Sequence, residues 1–99
     1  MNGINLIITF ETKPELSTQF HALLKQAQKD LPSVEGCNNV RLFAASDNPN
    51  LFTLVENWDS KQAHQAHINN VIASGAWDAI AAHLSKEPVS HYYQEIDTQ

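Results

Sequence analysis

Three features of this sequence predict an α+β fold of the ferredoxin-like βαββαβ type: a four-stranded antiparallel sheet with both helices on one face. Segments of period-two alternation open and close the chain and flank the dense turn signal Ser46-Asp47-Asn48-Pro49-Asn50. Two apolar stripes at helical spacing separate those segments, giving the order strand, helix, strand, strand, helix, strand. Right-handed crossovers then convert that order into the split βαβ topology.

Each element has its own justification. In the first strand Ile4, Leu6, Ile8 and Phe10 alternate with Asn5, Ile7, Thr9 and Glu11. Its middle is apolar on both faces, as a central strand requires. Pro14 ends it and suits the first turn of a helix, with Glu15 at the positive end of the helix dipole. Leu16, Phe20, Leu23, Leu24, Ala27 and Leu31 make the stripe of that helix, Lys25 and Lys29 sit near its negative end, and Pro32 stops it. Gly36 opens a second strand, with Val40, Leu42 and Ala44 on one face and Cys37, Asn39, Arg41 and Phe43 on the other. The turn signal joins it to a third strand as a hairpin. Asp59 or Ser60 caps the second helix, and Ser74-Gly75 divides that helix in two. Trp77, Ile80, Ala81 and Leu84 continue its stripe until Pro88, and residues 89–96 form the last strand.

The chain of 99 residues is read as one domain, 1–99, with no repeat or linker. Its formal net charge of -5 and lack of a basic stripe argue against a nucleic-acid partner. The apolar run at the start ends in Glu11 and lacks a basic flank, so neither a signal peptide nor a membrane span is expected. The single cysteine, Cys37, reads as a small buried hydrophobe, and with no internal disulfide available a cytoplasmic protein is expected. Two helices cover only one face of a sheet. The apolar residues left on the other call for a second copy packed sheet to sheet, a homodimer.

Chemistry-bearing groups concentrate in Leu51 to His67, read LFTLVENWDSKQAHQAH. The stretch begins as a strand, with Phe52, Leu54, Glu56 and Trp58 on one face. It ends as a helix, where Ala63, His64, His67 and Ile68 recur at helical spacing. His64 is expected toward the solvated edge, His67 toward the interior. The spacing His64-x-x-His67 with Glu56 as a third ligand is a weak metal signal, lacking an HExxH motif or a cysteine pair, and no native metal is expected. Tyr92 and Tyr93 in the last strand read as sheet and interface residues, with His91 or one tyrosine as a second donor to a pocket.

The chain resembles the antibiotic biosynthesis monooxygenase domain family of small dimeric α+β barrels. The residues that carry the likeness are Lys13-Pro14-Glu15 with Phe20, Glu35-Gly36-Cys37, Phe52-x-Leu54-x-Glu56-x-Trp58, and His67, spread over nearly the whole chain. The family includes cofactor-independent quinol monooxygenases, haem-degrading enzymes and an isomerase of a phosphorylated quorum-sensing sugar. Haem degradation there resembles an Asn–Trp–His set whose Asn lies on the first strand; that position holds Ile7 here, and Asn5 is out of register.

The resemblance implies a monooxygenase that uses no cofactor and acts on a quinol or polyphenol-type small aromatic substrate with dioxygen. A small-molecule isomerase and a non-catalytic ligand-binding protein of the same fold are the alternatives. In the first case the substrate is its own reductant, and the protein supplies a base, a partner for the phenolate and a dry pocket. His67 is the expected base, Glu56 its orienting carboxylate, and Trp58 a wall for the ring. Phe20, Leu24, Ile72 and Trp77 are the expected apolar lining of a cavity of roughly 300 Å³ or more.

Overall fold

The apolar core of strand β1 (Ile4–Glu11) makes it the spine of the fold. The computed structural model describes residues 3–96. Strand β1 pairs antiparallel with β3 (Leu51–Trp58) on one side and β4 (Val89–Tyr93) on the other. Strand β2 (Cys37–Ala44) completes the sheet as the hairpin partner of β3, giving the order β2-β3-β1-β4. This is the ferredoxin-like α+β fold that the element order predicts.

Helix α1 (Ser17–Asp30) follows a single 3-10 turn at Pro14–Leu16 and buries Phe20 and Leu24. Ser60 caps α2 (Lys61–Ala73), its hydroxyl accepting from the Ala63 backbone N–H at 3.1 Å. Gly75, at φ 84°, then breaks the helix before α3 (Ala76–Ala81). A left-handed residue is what divides α2 from α3, and glycine adopts it without strain. Gly36, at φ 89°, lets the start of β2 approach α2: a Cβ there would stand 2.6 Å from that of Ala63.

Three sequence expectations shift. The second helical stripe ends at Ala81 rather than running to Pro88, because Leu84 leaves the helix to bridge Thr12. The last strand stops at Tyr93, where pairing with β1 reaches Asn5. Cys37 lies in the core with Val40 instead of on the opposite face, because a bulge between Cys37 and Asn39 resets the alternation. Its burial was expected, and it pushes the thiol up to about 11, with the Glu56 charge adding to the rise.

The helix-facing rows of the sheet read across the strands as Val40-Glu56-Leu6-Tyr92 and Leu42-Leu54-Ile8-Ser90. The opposite rows are Arg41-Val55-Ile7-His91 and Phe43-Thr53-Thr9-Val89, and no described element covers them. Phe43, Val89 and Tyr93 on that side are 45%, 56% and 46% exposed. Among the described residues, no helix is long and apolar enough to cross a membrane.

Candidate functional site

Alternation along β3 sends Phe52, Leu54, Glu56 and Trp58 toward the helices, and all four are buried. A carboxyl in that row loses its hydration, so burial raises the Glu56 pKa above the ordinary carboxylate value. One strong contact opposes the rise: the Trp58 indole N–H donates to Glu56 Oε1 at 2.8 Å. Residues two apart on a strand share a face, which is why these two side chains meet.

Trp58 is fully buried and carries two imidazoles of α2 above it. The His67 ring stacks on the indole at 5.3 Å between centroids and 29° between planes. The His64 ring meets it edge-on at 5.3 Å and 65°. Spacing of three on a helix brings both rings to the same indole. His64 Nδ1 lies 2.7 Å from the Tyr92 hydroxyl of β4, and the Lys61 ammonium stands 5.5 Å from the centre of the Tyr92 ring. Burial lowers the pKa of both histidines, and the proximity of His67 lowers that of His64 further. Both shifts favour the neutral imidazole at pH 7.

These groups border a cavity of about 900 Å³ between the sheet and the helices. Glu56, His64 and His67 form its polar end. Leu24 of α1, Ile72 of α2 and Trp77 of α3 are among its apolar walls, with Leu6, Ile8 and Leu54 from the sheet. Asp30, Lys86 and Glu87 also line it and supply the charged side chains there besides Glu56. Large apolar walls with a few convergent polar groups are the usual make-up of a small-molecule site.

The structure brings Glu56, His67, Leu24, Ile72 and Trp77 to one cavity and places three other residues away from their expected positions. Trp58 is not a wall of the cavity: His67 lies on its face and covers it. Phe20 is also behind the lining, fully buried against Phe10 and Phe52 at 5.1 and 5.7 Å. His64 is 8% exposed rather than solvated, because the stripe Ala63, His64, His67, Ile68 that faces the sheet includes it. Glu56 also differs in partner, since its hydrogen bond is to Trp58 and not to His67. The indole N–H is two residues away on the same strand and takes the carboxyl first. Tyr92 is the group whose part in the site the sequence left least defined; its place becomes visible only once β4 is registered against β1 at Leu6. Asn5 and Ile7 both project from the opposite face, away from the cavity, and Asn5 accepts there from Asn57 Nδ2 at 3.0 Å. Among the described residues no three His, Cys, Asp or Glu side chains converge in the manner of a metal site.

The family model described as antibiotic biosynthesis monooxygenase matches residues 3–94. The chain belongs to the antibiotic biosynthesis monooxygenase family. Solved structures agree on the family fold. A conserved protein from Methanosarcina mazei Go1 superposes with a TM-score of 0.81 at 22% identity, over 94% of this chain and 92% of that one. Rv0793 from Mycobacterium tuberculosis gives 0.81 at 18%, covering 95% of each chain. A variant of SnoaB, a cofactor-independent oxygenase from Streptomyces nogalater, gives 0.82 at 11%, over 99% of this chain and 97% of that one. No curated protein matches this sequence. At these identities the likeness speaks for the fold, and the cavity has to speak for the chemistry.

Proposed function

We propose that this family member is a cofactor-independent monooxygenase of a quinol or polyphenol-type aromatic. The observation that carries the proposal is the cavity itself: a large apolar chamber whose polar end holds two neutral imidazoles and a buried carboxyl. The oxygenase activity named for SnoaB supports it by analogy of fold. A phenol entering this chamber gives its proton to His67, whose neutral ring is ready to accept it. The phenolate, in a site poor in water, passes an electron to dioxygen, and the two radicals combine at a ring carbon. Loss of water from the resulting peroxide leaves a carbonyl. One oxygen atom enters the product, the other leaves as water, and the ring supplies all four electrons.

The exposed face of the sheet completes the proposal. Ile7, Val55, Phe43, Val89 and Tyr93 lie on it with polar neighbours, and a second copy of the chain packed on this face makes a homodimer. Interfaces of that kind bury on the order of 2,000 Å² or more. The test of function is oxygen uptake by chelator-treated protein with a panel of quinols and naphthols, with ¹⁸O₂ traced into the product. One labelled atom per turnover is the expected result. Conversion without oxygen would replace the oxygenase with an isomerase, and saturable binding without conversion would leave a binding protein.

A further inference from the structure

Tyr92 and His64 carry an assignment beyond the base His67. Tyr92 extends from the helix-facing row of β4, and its hydroxyl reaches His64 Nδ1 at 2.7 Å across the space between sheet and helix. A phenol hydroxyl has one proton to give. Among the described residues the only hydrogen-bond partner of the Tyr92 hydroxyl is that ring nitrogen. If Nδ1 carried the proton, the hydroxyl would accept and its own hydrogen would have no protein partner. Donation from Tyr92 to Nδ1 gives that hydrogen its partner and puts the ring proton on Nε2, which has no protein partner among the described residues and is left for a ligand in the cavity that His64 lines.

We propose that Tyr92 locks His64 in the Nε2–H form, making it a neutral donor that holds the hydroxyl oxygen of a phenolic ligand at the polar end of the cavity. The assignment rests on the cavity being a site for such a ligand. It divides the work of the two histidines: His67 accepts a proton, and His64 donates a hydrogen bond to the oxygen that becomes negative. A fixed N–H aimed at developing charge in a site poor in water is worth more than the same group in solution. Tyr92 is then a positioning residue. The groups that surround His64 favour the neutral ring: Trp58 packs on it from β3, and His67 on its own helix opposes a second positive charge. Lys61 lies over the Tyr92 ring. Glu56 is the carboxyl on the same cavity, and burial favours its uncharged form.

The experiment measures anaerobic binding of 1,4-dihydroxynaphthalene by quenching of the two tryptophans, for wild type, His64→Asn and Tyr92→Phe. Asn retains a polar group where Nδ1 lies, so it still pairs with Tyr92, but it has nothing at Nε2. Melting temperature is recorded for each, and ¹⁵N shifts of His64 report its tautomer. The expected result is the Nε2–H form in wild type, affinity lost by about tenfold or more in His64→Asn, and a smaller loss with mixed tautomers in Tyr92→Phe. Wild-type affinity in His64→Asn would overturn the proposal, leaving the pair as a brace between β4 and α2. An Nδ1–H form in wild type would overturn it as well. Should His64→Asn fail to fold, the tautomer and the Tyr92→Phe affinity still decide. The oxygenase reading stands or falls separately: binding that depends on His64 without oxygen uptake removes the oxygenase and keeps the anchor. No binding by wild type removes both.

Discussion

The two faces of the sheet are cut from the same strands and follow the same alternation, yet they differ in kind. Toward the helices, β3 presents Phe52, Leu54, Glu56 and Trp58, all buried; away from them it presents Leu51, Thr53, Val55 and Asn57, all partly exposed. The helix side is a packed core that opens into a cavity. The other side is a mixed surface, where the Thr9 and Thr53 hydroxyls pair at 3.0 Å and the Arg41 guanidinium lies 5.1 Å from the centre of the Phe43 ring. The lesson is that strand period separates a face committed to one partner, the helices, from a face free to meet another chain. It does not distinguish a core position from a cavity position within the committed face.

The comparison breaks most severely at Trp58. Trp58→Ala deletes a fully buried indole, removes the support under both imidazoles and leaves Glu56 without its donor. A loss of about 3–5 kcal/mol in urea unfolding is expected. Thr53→Ala, on the open face of the same strand, is expected to cost less than about 1 kcal/mol in the same measurement. Equal costs would mean the faces are not distinct.

On the open side, Ile7→Asp should leave the monomer folded and abolish the proposed pairing, since a carboxylate would be buried unpaired between two sheets packed on this face. Sedimentation of wild type at micromolar concentration should give a dimer, and of the variant a monomer. A wild-type monomer would remove the dimer from the account.

The buried polar groups sharpen the contrast through pH. The folded-state pKa of Glu56 is raised, so its contribution is greatest below the ordinary carboxylate value of 4.5 and is lost as pH rises through the folded value. Glu56→Gln keeps an acceptor for Trp58 and removes that loss. Relative to wild type it should gain stability as pH rises from 4 toward 8. His64 and His67 act in the opposite sense. Their folded-state values are depressed, so their contribution is present above the ordinary 6.5 and disappears as pH falls through the folded values. Urea midpoints across that range would show either sign directly. The smallest expected effect is at Cys37, where burial and a thiol pKa near 11 should make thiol reagents at pH 8 react only as fast as the protein opens.

Much of the fold was legible because each strand and helix carries its own period and its own stop signal. The bulge at Cys37 was not, since one extra residue shifts the face of everything before it while leaving the sequence pattern of Val40, Leu42 and Ala44 intact. The polar end of the cavity comes from one stretch, since β3 leads into α2 with only two residues between them. What escaped is long-range. The Glu56–Trp58 bond is local and could have been anticipated from the shared strand face, but the Tyr92–His64 contact needs the register of β4 on β1. The covering of Trp58 by His67 needs the rotation of α2 about its axis, which a short stripe of Ala63, His64, His67 and Ile68 constrains only loosely.

The most direct test of the account is the pH dependence of oxygen uptake by chelator-treated wild type beside His67→Ala. The sequence pointed to Glu56 as the carboxylate that orients His67; the structure gives Glu56 to Trp58 and depresses the His67 pKa by burial. Activity should therefore rise with pH along a limb whose midpoint lies below the ordinary imidazole value of about 6.5, and His67→Ala should lower turnover by about two to four orders of magnitude. A midpoint above 7, or wild-type turnover in His67→Ala, would contradict it.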